Sequence, residues 1–350
     1  TDNPLYGVTT TSPEKFLGYP LGERLLRHDQ INYYLQQIAQ QNPRVSLEDT
    51  GVSHEVRKQL TAVITSVENQ AKLDDILAQR QQVKYGAKQG GPLIIWLAYS
   101  IHGDEISGAH SALKLSHMLA TSEEKWVTDL LNNAVVLITP SQNPDGLDRF
   151  STWANGYAGK VAVSDPNHKE HKQGWPSGRS NHYLADLNRD WLFLRHPESQ
   201  GRVALFHRWQ PHYVGDFHEM GHNNTYFFQP GVPDRTHPLT PAANQKLTAK
   251  LAAYHQAELD TQKQSYFSRQ LFDDFFYGKG STYPDINGAI GVLFEQASAR
   301  GQQQDSVNGL VTMQEAIDNQ YATSISSLKG ALALKSDLEE CQAEFFDTKH

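Results

Sequence analysis

The sequence predicts an α/β fold in a single domain. Three observations point to it. The runs Leu93–Tyr99, Ala134–Thr139 and Ile290–Phe294 are apolar and of strand length, without the polar alternation of a strand that has one wet face. Stretches of helical periodicity lie between them. No internal repeat and no clear linker divides the 350 residues, a length that can bury a full core.

Each element has its own signal. The opening residues are polar and turn-rich, and residues 1–15 are expected to be a lead-in along the surface. Asp29 is placed to cap a helix with Ile31, Tyr34, Leu35 and Ile38 on one face, stopped before Pro43. Val45–Thr50 and Leu60–Val67 read as strands joined by a loop around Gly51. A short helix, Ala71–Gln82, precedes the Leu93 strand, and Ile106–Leu119 reads as a helix after it. Residues 141–187 are rich in Gly, Pro, Asn, Ser and His and are expected to be a long functional loop. Pro197–Trp209 reads as a helix, His212–Phe217 and Tyr226–Gln229 as strands. Thr240 and Pro241 open a helix carrying Leu247, Leu251 and Tyr254. Val311 to Lys335 reads as a long amphipathic helix, leaving 336–350 as a C-terminal tail.

Composition narrows the function. A formal net charge of −8, with no Lys/Arg-rich run, argues against a nucleic-acid partner. No apolar stretch reaches the length of a membrane span. The single Cys341 cannot form an intrachain disulfide.

The chemistry concentrates at His102-Gly103-Asp104-Glu105, just past the Leu93 strand. Open α/β sheets place their ligands at the carboxyl ends of strands. An imidazole and a carboxylate there form a partial zinc set that needs one more ligand. His218, ending the His212–Phe217 strand, is the preferred third. A competing pattern runs through the same residue: His218-Glu219-Met220-Gly221-His222 matches H-E-x-x-H, which binds zinc when it is helical. The strand-like residues before it, and the turn formers Gly221, Asn223 and Asn224, oppose a helix. His168 and His171 read as solvated loop residues, and His182 as a residue near the site. His28, His110 and His117 read as packing or helix-surface histidines.

The chain resembles the zinc metallocarboxypeptidases, the family of pancreatic carboxypeptidase A, and most of all their exported bacterial branch. The resemblance rests on an ordered series: His102-Gly103-Asp104-Glu105, Asn143-Pro144-Asp145-Gly146, Asp186-Leu187-Asn188-Arg189, Asp216-Phe217-His218 and Phe294-Glu295. It spans residues 16–335 and implies one catalytic domain with a twisted, mixed sheet of about eight strands flanked by helices. It implies one zinc ion held by His102, Glu105 and His218, with Asp186 orienting His102. By the same resemblance Glu295 is the general base, and Asn188 and Arg189 hold the substrate's terminal carboxylate. Arg179 polarises the scissile carbonyl, with Arg149 as its alternative. Tyr277 is the mobile tyrosine that closes over substrate, with Tyr283 as a second candidate. Asp285 lies in the region that sets side-chain preference.

The implied activity is hydrolysis of the C-terminal peptide bond of peptides with a free carboxylate, in an exported protein. A peptidoglycan stem-peptide carboxypeptidase or amidase, and a non-catalytic binding domain, are the alternatives on the same fold. The roles suit the residue types. Two imidazoles and a carboxylate leave zinc an open position. A planar guanidinium pairs with a carboxylate through two hydrogen bonds, which lysine cannot reproduce. A carboxylate fixed at the end of a strand can carry a proton from water to a leaving amine.

Overall fold

The computed structural model describes residues 9–86 and 90–347. Residues 1–8 of the expected lead-in and the last three of the expected tail lie outside the described residues. The strands are β1 (Val45–Val52), β2 (Lys58–Ile64), β3 (Leu93–Tyr99), β4 (Ala134–Thr139), β5 (Tyr213–Met220), β6 (Tyr226–Phe228), β7 (Ile290–Ala297), β8 (Gln303–Ser306) and β9 (Gly309–Thr312). Seven form one sheet in the order β1-β2-β4-β3-β5-β7-β6, and β8 pairs with β9 apart from it. The sheet is mixed. Its centre, β4-β3-β5-β7, is parallel, and β1, β2 and β6 add antiparallel pairings at the two sides.

The apolar run of β3 divides by parity. Leu93, Ile95, Leu97 and Tyr99 join one buried cluster, whereas Ile94, Trp96 and Ala98 join another. Successive strand residues point to opposite faces, so a strand covered on both sides must be apolar throughout. One face is covered by the helices Ser107–Thr121, Ala242–Gln262 and Met313–Ala333. The other is covered by Leu73–Val83 and Pro197–Trp209, with Trp96, Trp191 and Trp209 among the packed residues.

Several expectations need correction. The main sheet has seven strands among the described residues, not eight, because the chain after β7 folds into the separate β8–β9 hairpin. That hairpin takes Val311, so the long helix starts at Met313. Residues 141–187 are not one loop: Pro144–Tyr157 is a helix, with Asn143 as N-cap accepting from Gly146 N and proline at its start. Asn-Pro reads equally well as a turn or as a helix start, and burial of Leu147, Phe150 and Ala154 decides for the helix here. The helix assigned to a cap at Asp29 starts two residues earlier, at His28 with Arg27 as its N-cap. Residues 335–347, most of the expected tail, form a helix that buries Leu338 and Phe346.

Two backbone features position the site. Ser100, just after β3, has φ of 52°, and its hydroxyl donates to the Glu105 carbonyl, closing the turn that carries His102. Gly103 lies so close to the start of the Pro144 helix that an added Cβ would fall 2.1 Å from Leu147 N. Only glycine allows that approach.

Candidate active site

His102 and Glu105 follow β3, and His218 and Glu295 lie opposite each other in the parallel β5–β7 register. His102, Glu105 and His218 are all buried and offer ligand atoms within 4.8 Å of one another. Both imidazoles turn Nδ1 inward. His102 Nδ1 is 2.9 Å from Glu105 Oε1, His218 Nδ1 is 2.9 Å from Glu105 Oε2, and the two Nδ1 atoms are 3.3 Å apart. Both turn Nε2 outward to a carboxylate: His102 to Asp186 Oδ1 at 2.9 Å, His218 to Asp216 Oδ1 at 2.9 Å. A carboxylate behind each imidazole fixes its tautomer and raises its basicity.

The imidazoles and carboxylates of the group act strongly on one another. Burial alone would push Glu105 up, but the two imidazoles hold it well below the usual carboxylate range. Burial alone would lower both histidines. Glu105 and Asp186 instead raise His102, and Asp216 and Glu105 raise His218 well above its ordinary value. Asp186 is likewise held low, against the effect of burial, by His102 and Arg179. A buried His-Glu-His group with this inward geometry fits a zinc ion, whose usual donors are these atoms.

Other expected residues gather around the same cavity, which holds about 300 Å³. Glu295 lines it, and burial, the largest influence, pushes its carboxyl up to about 8, with His218 opposing. Arg179 lies at its edge, donating to Asp186 Oδ2 at 2.9 Å with Glu105 Oε1 at 3.5 Å. Asn188 is buried beneath, its Oδ1 accepting from Trp191 Nε1 and Gly280 N. Its Nδ2 lies 3.2 Å from His218 Nε2. Arg189 is exposed to the cavity, and its Nη1 donates to the Asn188 carbonyl.

The remaining candidates lie elsewhere. Arg149 donates to the carbonyls of Ser177, Ser180 and Asn181, clamping the loop that carries Arg179. The Tyr277 hydroxyl bonds His237 Nδ1, and the tyrosine does not line the cavity in this conformation. Tyr283 is buried against Trp191 and Phe206, its hydroxyl 2.7 Å from His207 Nε2. Asp285 is buried away from the cavity, accepting from Asn244 Nδ2 and Gly291 N. Asp145 caps the β1–β2 loop, accepting from Ser53, Glu55 N and Arg57. The H-E-x-x-H residues begin on β5 and end in a turn, so His222 does not join His218.

His182 faces Glu55 at the surface. His168 and His171 are not simply solvated: His171 is buried, with both ring nitrogens on backbone carbonyls. Asp216 was not singled out for a role in the sequence. Its signal was its spacing, because residues 216 and 218 of one strand share a face. Lys279 and Asp273, also in the cavity lining, carried no motif.

The chain is similar to known proteins over most of its length. The sequence profile of the zinc carboxypeptidase family (Peptidase M14) matches residues 31–278. Carboxypeptidase 2 of Trichophyton tonsurans is 30% identical over 131 residues, 37% of this chain and 19% of that protein. The metallo-carboxypeptidase from Burkholderia cenocepacia superposes with a TM-score of 0.61 at 15% identity, over 86% of this chain and 68% of that one. Carboxypeptidase A from Helicoverpa armigera gives 0.61 at 16%, over 94% and 78%. These two likenesses concern the fold. The matched segment amounts to about 20% of the length of the first curated relatives.

Proposed function

The chain belongs to the zinc carboxypeptidase family, and from that premise we propose that it is a zinc-dependent exopeptidase that removes the C-terminal residue of peptides. The observation that supports the reading most is a juxtaposition. Glu295 lies beside His218 in register, over a buried His-Glu-His group, in one cavity with the exposed guanidinium of Arg189.

His102 Nδ1, a Glu105 oxygen and His218 Nδ1 would hold the zinc. When bound, zinc supplies Lewis-acid activation of a water molecule and of the scissile carbonyl. Arg189 receives the substrate's terminal carboxylate through two N–H groups, and Asn188 Nδ2 adds a neutral donor beside it. This fixes the last peptide bond against Glu295. The Glu295 carboxylate takes the proton of the attacking water and delivers it to the departing amine nitrogen. Arg179 Nη1, already close to Glu105, donates to the oxygen of the scissile carbonyl as negative charge develops there. Asp186 and Asp216 keep Nε2 of the two histidines protonated, so that each Nδ1 is free to bind. Tyr277 closes over the substrate once its hydroxyl leaves His237. The resemblance to exported bacterial members extends the proposal to peptides outside the cytoplasm.

The test is product analysis by mass spectrometry on an unblocked decapeptide. Single residues should leave from the C-terminal end, a chelator should stop their release, and zinc should restore it. Internal cleavage, or release that survives metal removal, would contradict the proposal.

A further inference from the structure

The cavity holds a cation, Lys279, that the reaction does not use. Met220, Phe272 and Leu293 give it an apolar wall, and Lys279 and Asp273 line it together with Arg189. Lys279 is well fixed. Its Nζ donates to the Asp273 carbonyl at 2.6 Å and to Asp273 Oδ1 at 3.0 Å, and its side chain is only 13% exposed. Its backbone carbonyl accepts from the amides of Thr282 and Tyr283. The next residue, Gly280, donates to Asn188 Oδ1, which ties Lys279 to the Asn188-Arg189 pair.

Asp273 is held less firmly. Its side chain is 47% exposed, and both Lys279 and Arg189 act on its carboxylate. Asp274, on the buried side, is taken up by Gln229 and Thr282 and does not line the cavity. Glu219, the remaining acid of the lining apart from Glu105 and Glu295, is buried beside the metal group, its amide donating to Glu105 Oε2 at 3.0 Å. Away from the metal group, then, the cavity presents Arg179, Arg189 and Lys279 against Asp273. The terminal carboxylate of a substrate engages one of these cations. The Asp273 carboxylate occupies a place that a second substrate carboxylate would fill, still held by an ammonium anchored to the backbone.

We propose that Lys279 is a specificity-determining residue that selects C-terminal residues carrying a second carboxylate, such as an acidic side chain. The proposal rests on the exopeptidase reading above. The anion of the substrate displaces the Asp273 side chain toward solvent and takes over its bond to Nζ. The bond from Nζ to the Asp273 carbonyl remains, so the ammonium keeps its position. A cationic side chain would meet two cations with only Asp273 in its favour. A neutral one would leave the Lys279–Asp273 pair in its way.

The test measures kcat/KM of the zinc-loaded protein on N-acyl dipeptides ending in Glu, Gln, Phe or Lys. Calorimetry on the same protein compares N-acetylglutamate with N-acetylglutamine. Glu should exceed Gln by at least about tenfold, and N-acetylglutamate should bind tighter by a similar factor, as for a charge-assisted hydrogen bond. Lys279→Met should bring both ratios close to one, Lys279→Arg should retain part of the preference, and Lys279→Glu should favour Lys. Melting curves verify that each variant is folded. Equal treatment of Glu and Gln by the wild type, or an unchanged ratio in Lys279→Met, would overturn the proposal. Lys279-dependent binding of N-acetylglutamate with no peptide cleaved would leave this inference standing and remove the exopeptidase reading. Cleavage without preference would do the reverse.

Discussion

Asp216 offers a sharp test of how the histidines are held. Its Oδ1 lies 2.9 Å from His218 Nε2, and both side chains are 2% exposed. Asp216→Asn keeps the shape and removes the charge. At an effective dielectric of about 20, unit charges at that separation attract by about 6 kcal/mol. The net loss is smaller, because the asparagine retains a dipole and carries a lighter desolvation cost. Loss of a partner behind a ligating histidine typically weakens metal binding about 10–100-fold, or about 1.4–2.7 kcal/mol. Space there is tight, since a Cβ on Gly280 would lie 2.6 Å from Asp216 Oδ2, so a bulkier replacement would mix steric with electrostatic effects. Zinc affinity is read by competition with a chromophoric chelator, and denaturant unfolding of the zinc-free protein serves as control. The expected result is weaker zinc binding by that factor, with a loss of zinc-free stability as well, because His218 then loses its buried charged partner. Unchanged affinity would refute the assignment of Asp216 as the group that sets the basicity of His218.

Two other outcomes follow from the same geometry. Glu295→Gln should leave zinc bound, measured by metal analysis, and lower kcat by about 10²–10⁴-fold, the usual range for loss of a general base; full turnover would redirect attention to Glu219. The second concerns stability. His255 is fully buried and pushed down to about 3 by burial. It stays neutral in the fold and takes a proton near 6.5 when unfolded, so its contribution is lost as pH falls below about 6.5. In the zinc-free protein, the stability difference between wild type and His255→Gln should therefore move against the wild type by about 1.4 kcal/mol per pH unit between 6 and 4. A pH-independent difference would show that His255 is protonated in the fold.

Strands were the most legible part of the fold. The central strands lie between two helical layers, and burial on both faces left unbroken apolar runs such as Leu93–Tyr99. The helix Pro144–Tyr157 escaped because its start, Asn143-Pro144-Asp145-Gly146, is also a turn signature, and tertiary burial alone distinguishes the two. At the site, residue types with strong chemical constraints were readable: two imidazoles and a carboxylate at strand ends converge as expected. The tyrosine was not: Tyr277 rests on His237 outside the cavity lining, and Tyr283 is core. Lys279 was equally hidden. Nothing local marks a lysine as buried beside a cavity, and its partners lie in the folded wall of residues 272–281.

The central claim is that a free carboxylate at the end of the substrate is recognised by Arg189 beside a zinc site. The most direct measurement is a double cycle in kcat/KM, crossing wild type and Arg189→Met with a peptide as free acid and as C-terminal amide. Each single change should cost at least about tenfold, the strength of a charge-assisted pair in a partly desolvated cavity. The two losses should not add, because both remove one interaction. Equal cleavage of acid and amide by the wild type, or fully additive losses, would contradict the account.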